Sequence, residues 1–119
     1  MEWVKGLQKA IDYIEDHITE DIDYAEIAKQ AYSSSFHFLR VFHIICGYSI
    51  GDYIRNRRLS LAGTDLSSRN EKVIDIALKY GYNSPESFSR AFTKFHGITP
   101  VQAKNEKFTG ANPQHLKTV

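Results

Sequence analysis

One cysteine, Cys46, in 119 residues excludes an internal disulfide and matches a reducing compartment. No run approaches the ~18 consecutive apolar residues of a membrane span. The chain opens Met-Glu-Trp-Val-Lys, with no basic segment leading into an apolar stretch, so a cytoplasmic protein is expected. There is no Gly-rich phosphate loop, and no nucleophile triad or paired-carboxylate signature. His43 and Cys46 lie three apart on one expected helix, but no second His/Cys pair accompanies them, and a zinc site needs three or four ligands. The expectation is therefore no catalytic residues, no metal and no cofactor. Strand periodicity and low-complexity segments are also missing.

The chain has the length of one domain and, at 42% apolar residues, enough material for a packed core. Its net charge of +1 hides an asymmetry. Residues 1–26 hold eight acidic and two basic side chains, a net of −6; the remainder holds 13 basic and six acidic, a net of +7. A basic majority after an acidic first helix points to an anionic partner for the later segments and a separate role for the first.

Helical spacing dominates. Trp3, Leu7, Ala10, Ile11, Ile14 and Ile18 form one apolar stripe. Thr19 or Asp23 starts a short second helix carrying Ala25, Ile27 and Ala28, broken at Ala31-Tyr32-Ser33. Ser34 is a good N-cap for a helix that runs to Gly47, a C-cap. Ser49-Ile50-Gly51-Asp52 resembles a capping box with Asp for Glu and opens a longer helix over roughly 50–67. After a Ser67–Asn70 loop, Asn70 or Glu71 begins a short helix ended by Gly81. Ser84-Pro85 combines an N-cap with proline at the first helical position, and that helix stops at Gly97. Thr99-Pro100 starts a last short helix, and Gly110, Asn112 and Pro113 mark an irregular tail. The prediction is an all-α chain of about seven helices.

Two stretches fifty positions apart are alike: AYSSSFHFLRVFHIICGYSI at 31–50 and GYNSPESFSRAFTKFHGITP at 81–100. Without a gap they share Tyr32/Tyr82, Ser34/Ser84, Phe38/Phe88, Arg40/Arg90, Phe42/Phe92 and Gly47/Gly97. Each follows an Ile-Ala pair, Ile27-Ala28 and Ile76-Ala77. A repeat of this kind is one supersecondary piece used twice. Here the piece is a short helix, a tight turn and a longer helix opening at Ser, which is the pattern of a helix-turn-helix with its second helix in a DNA major groove. Phenylalanines four apart anchor that second helix in the core. Its first turns then present Ser35, Phe36, Leu39 and Arg40 in one unit, and Pro85, Glu86, Ser89 and Arg90 in the other. Arginine can bond guanine O6 and N7 together, and glutamate can accept from cytosine N4. The helix starts at Ser34 and Ser84, with Ser87 in the same turn, suit a phosphate. Arg55, Arg57 and Arg58 on the long helix either meet phosphates or form a solvated, partly ion-paired face, and Lys94 is a further phosphate candidate. Arg40 and Arg90 either read bases or brace the core, and Phe36 is either exposed or partly buried.

The second unit resembles the AraC/XylS family of bacterial transcription regulators. The run Ile76-Ala77, Gly81-Tyr82, Ser84, Phe88-Ser89-Arg90, Phe92, Lys94, Gly97, Thr99-Pro100 is similar to that family's C-terminal signature, in register. Tyr53-Ile54-Arg55 through Arg57-Arg58-Leu59, Ala62 and Leu66 resembles its linker helix. The resemblance covers about residues 5–105. It implies sequence-specific binding of double-stranded DNA for transcription regulation, with two recognition helices in adjacent major-groove segments. Successive groove faces lie ~34 Å apart, whereas a linker of ~17 residues spans ~25 Å, so some bending of the site is expected. The first unit departs from the pattern. Ala31 stands where the second has Gly81, which would cost ~1–2 kcal/mol if the turn needs a left-handed residue there. Leu39 takes the place of a polar reader and touches either a thymine methyl or no base at all, Glu86 is acidic at a DNA-facing position, and Ala103-Lys104 stands where the family often has an aromatic-Arg pair.

The expected organisation is a DNA-binding domain over residues 1–107. It comprises a first helix-turn-helix subdomain at 5–48, a linker helix at 49–67 and a second subdomain at 70–105. The tail at 108–119 is expected to lead to a C-terminal effector domain that lies beyond this chain and would take a small-molecule effector. RNA polymerase is an expected partner, a membrane is not. The competing reading is a helical protein-interaction module that docks RNA polymerase or another partner through its acidic N-terminal helix.

Overall fold

The computed structural model describes residues 2–68 and 70–105. Seven helices and no strand occur among them: α1 (Glu2–Asp16), α2 (Tyr24–Gln30), α3 (Ser35–Cys46), α4 (Ile50–Ser68), α5 (Val73–Lys79), α6 (Pro85–His96) and α7 (Pro100–Asn105). The all-α expectation holds. The expected tail at 108–119, Arg69 of the expected loop and the side chain of Trp3 lie outside the described residues. The helices sort into two compact units, one ending at Ile54 and one beginning at Arg55, so α4 gives its first turn to the first unit and its remainder to the second.

The caps explain most of the helix boundaries. The Asp23 carboxylate accepts from the Ala25 N–H at 2.9 Å and starts α2. Ser34 Oγ accepts from the His37 N–H at 3.3 Å, and Ser84 Oγ from the Ser87 N–H at 3.2 Å. Ser49 Oγ accepts from the Asp52 N–H at 3.1 Å at the head of α4. At α7, Thr99 and Gln102 form a reciprocal capping box: the Thr99 N–H reaches Gln102 Oε1 at 2.9 Å, and the Gln102 N–H reaches Thr99 Oγ1 at 3.1 Å. One start differs from expectation. Neither Asn70 nor Glu71 opens α5; Lys72 holds the N-cap position, with no side-chain hydrogen bond, and α5 begins at Val73.

Each unit has its own aromatic core. In the first, Phe38 and Phe42 of α3 are buried with Ala10, Ile14, Ile27 and Ala28, and Tyr53 of α4 lies 6.1 Å from Phe42, ring to ring. The Tyr53 hydroxyl donates to Glu15 at 2.8 Å, which gives this buried ring's polar end a partner. In the second, Leu59, Ala62 and Leu66 of α4 cluster with Ile76, Ala77, Tyr80, Phe88, Phe92 and Ala103. Asp65, almost fully buried, accepts from Lys79 Nζ and the Tyr80 hydroxyl, both at 2.7 Å, and ties α4 to α5. His96 at the end of α6 hydrogen-bonds the Leu59 carbonyl at 2.7 Å. The Phe pairs at 38/42 and 88/92 fix which faces of α3 and α6 remain for solvent.

The two turns are not equivalent, which corrects the ungapped alignment. In the second unit Gly81 is left-handed at φ 87, and the Tyr82 N–H closes onto the Ala77 carbonyl at 2.9 Å. In the first unit Ala31 has φ −93; the left-handed residue is Tyr32, at φ 55, and the Ser33 N–H closes onto the Ala28 carbonyl at 3.0 Å. These are the same helix-ending motif. Tyr32 therefore corresponds to Gly81, not to Tyr82, and the conformational cost expected at Ala31 falls on Tyr32. Two residues, Tyr82 and Asn83, separate the left-handed position from the N-cap in the second unit, but only Ser33 does so in the first. The extra residue has a packing role: Tyr82 lies 5.3 Å edge-on to Phe88, whereas Tyr32 is 81% exposed.

Candidate nucleic-acid interface

With their phenylalanines buried, α3 and α6 each turn a matched face outward. Phe36 and Arg40 on α3 are exposed, as are Pro85, Glu86, Arg90 and Lys94 on α6. Phe36 is 76% exposed, so the open choice at this residue falls to the solvent side. Arg40 and Arg90 occupy the same place on their helices and both project to solvent, the placement that base reading requires. Ser35, Leu39 and Ser89 are half-buried at the flank of these faces, less projecting than expected. Ser89, Arg90, Thr93 and Lys94 line one shallow surface depression.

The serines at the helix starts carry a different load from the arginines. Ser34 is exposed and Ser84 and Ser87 half-buried. Ser84 Oγ contacts Ser87 Oγ at 3.0 Å, and the Ser87 hydroxyl donates to the Ser84 carbonyl at 3.1 Å. These hydroxyls hold the first turn of α6 in shape, which positions Glu86 and Arg90 whether or not a serine itself touches a ligand.

Of the basic residues on α4, Arg55 is exposed while Arg57 and Arg58 are half-buried. Arg55 and Arg58 both lie near Tyr82. Burial pushes the Tyr82 phenol up, and the two guanidinium charges partly oppose that rise. All three arginines take part in interactions within the protein, so they do not form a purely solvated stripe. Near the first turn, Lys9 Nζ donates to the Tyr32 hydroxyl at 2.9 Å and sits 5.1 Å from the ring centroid; this hydrogen bond, aided by the lysine charge, lowers the Tyr32 phenol.

Two further residues belong to these faces that the sequence does not single out as DNA contacts. His43 is exposed on α3, one turn beyond Leu39 and Arg40, and Thr93 stands at the matching place on α6. Extending the three-and-four spacing one more turn from Arg40 and Arg90 would have found both. Cys46 is half-buried, and burial pushes its thiol up, the opposite of an activated nucleophile. No group of three or more metal-ligating side chains occurs among the described residues. No described helix is long and apolar enough to cross a membrane.

Comparison with known proteins agrees with this geometry. A helix-turn-helix domain family model matches residues 27–106. The regulatory protein SoxS of Escherichia coli is 35% identical over 100 residues, covering 84% of this chain and 94% of SoxS. The HTH-type transcriptional regulator YbfP of Bacillus subtilis is 40% identical over 100 residues, but the chain spans only 34% of its length. Among solved structures, an AraC-type transcriptional regulator from Chromobacterium violaceum superposes with a TM-score of 0.80 at 24% identity, covering 86% of this chain and 91% of that one. The DNA-binding domain of AdpA, solved in complex with a target DNA, superposes with a TM-score of 0.76 at 23% identity, covering 92% of this chain and 98% of that one. At these identities the structures speak to fold, and the sequence matches speak to descent. The chain belongs to the AraC/XylS family of helix-turn-helix transcription regulators.

Proposed function

We propose that this chain regulates transcription in the bacterial cytoplasm by sequence-specific binding of double-stranded DNA, with α3 and α6 each entering a major groove, in adjacent segments of one site. The observation that carries the reading is the pair of exposed arginines, Arg40 and Arg90, at one position on two helices whose opposite faces are anchored by Phe38/Phe42 and Phe88/Phe92. Arg40 and Arg90 are the base readers, since a guanidinium spans guanine O6 and N7. Phe36, Leu39, Pro85, Glu86 and Ser89 shape the fit around them. Ser34, Ser35, Ser84 and Ser87 set the helix starts against phosphates. Arg55, Arg57 and Lys94 add backbone contacts. Family membership favours this over a pure protein-docking module. The acidic residues of α1 remain suited to a basic surface of RNA polymerase, as a second contact beside DNA. Residues 1–107 then act as the DNA-binding part, and a small-molecule effector would act through a further C-terminal domain.

Fluorescence anisotropy with a labelled duplex tests the reading. Affinity should fall steeply and log-linearly with salt, and Lys94→Ala should weaken all duplexes alike while lowering the salt slope by about 1. Absence of duplex binding at low salt, with a polymerase pull-down intact, would instead support the docking module.

A further inference from the structure

The two outward faces differ chemically at matched positions. Around the shared arginine, α6 carries Glu86, Ser89 and Lys94, where α3 carries Phe36, Leu39 and Ile44. These three exchanges replace a polar or charged group by an apolar one, while at the helix start Ser35 stands where α6 has Pro85. Phe36 is 76% exposed and Ile44 70% exposed, so neither is spent on the core of its own unit. The sequence of α3, SFHFLRVFHIIC, holds no carboxylate; its charged or titratable members are His37, Arg40, His43 and Cys46. A face that is apolar, basic and free of acid fits an anionic partner with methyl groups on its surface. In the major groove only thymine supplies one, its C5 methyl. Phe36 and Leu39 stand in the first two turns of α3, the part of a recognition helix that meets base edges.

We infer that α3 reads thymine C5 methyls through Phe36 and Leu39, beside a base contact from Arg40, while α6 reads its half-site by polar contacts through Glu86 and Arg90. The inference rests on the DNA-binding reading above. It makes the two half-sites chemically unlike: one depends on methyl groups, the other on hydrogen-bonding edges. It also accounts for an exposed phenylalanine at the start of α3.

The test starts from a duplex selected from random sequence with the unmodified protein. The half-site of α3 is the one whose base preferences survive Arg90→Ala. Replacing thymines there by deoxyuracil removes the methyls and leaves every hydrogen-bonding group in place. Affinity should drop about three- to fivefold for each contacted methyl, the effect of losing one buried methyl group. Phe36→Ser and Leu39→Ser should each bind the thymine duplex more weakly and lose part of that sensitivity. Both replace half- or fully solvent-facing side chains, and melting curves check that the variants are folded. Equal affinity of the unmodified protein for thymine and uracil duplexes overturns the inference and leaves DNA binding standing. Failure to select any duplex removes both. If Phe36→Ser abolishes a concentration-dependent dimer while uracil sensitivity is unchanged, the face belongs to a second copy and the inference falls.

Discussion

Phe92 and Arg90 lie two residues apart on α6 and do opposite work. Phe92 is fully buried beside Phe88, at 5.5 Å between ring centroids, and is part of the core of the second unit. Phe92→Ala should destabilise the fold by about 3–5 kcal/mol, read by chemical denaturation; a variant as stable as the parent would mean that the helix faces are wrongly assigned. Arg90 is exposed, and Arg90→Ala should leave the melting temperature in place while costing about 1–3 kcal/mol of DNA affinity and relaxing one position of the site. A fall in melting temperature without a change in base preference would assign Arg90 to structure instead. The four-residue Phe spacing made this division readable in the sequence. The exposure of Phe36 was not readable, because an aromatic residue at a helix start fits a core or a groove equally well until the neighbouring helix is placed.

At the level of elements, the most instructive difference is between the two turns. Both end a short helix through one left-handed residue, Gly81 in one and Tyr32 in the other. Glycine carries no Cβ penalty there, whereas tyrosine does. Gly81→Ala should therefore cost about 1–2 kcal/mol, and Tyr32→Gly should raise stability by up to about 1 kcal/mol once the entropy of glycine is subtracted. The exposed Lys9–Tyr32 contact given up in the second case is worth little. Thermal unfolding of both variants checks the pair, and opposite signs are the expected outcome. The helices themselves were legible from periodicity, and most of their starts from Ser34, Ser49, Ser84 and Thr99. The turn was misassigned because an ungapped fifty-residue offset matched Tyr32 to Tyr82. The Ile27-Ala28 and Ile76-Ala77 pairs stand 49 apart, so the one-residue difference was already present in the chain. The start of α5 was missed for another reason: Lys72 offers no capping oxygen, and packing of Ile76 and Ala77 against α4 sets that boundary instead.

For the molecule as a whole, the claim is that one chain carries two DNA readers of different character. Its family and its repeated helix-turn-helix were visible in the sequence, since both depend on short-range patterns. The roles of single residues were less visible, because they depend on which side chains folding leaves in solvent. The exposure of His43 and Ile44 on α3 emerges only once Phe38 and Phe42 are buried. Selection of bound duplexes from random sequence, run in parallel for the unmodified protein, Arg40→Ala and Arg90→Ala, tests the claim most directly. The account predicts two separate blocks of base preference, with each variant relaxing one block and leaving the other. A single block, or both variants relaxing the same positions, would contradict it.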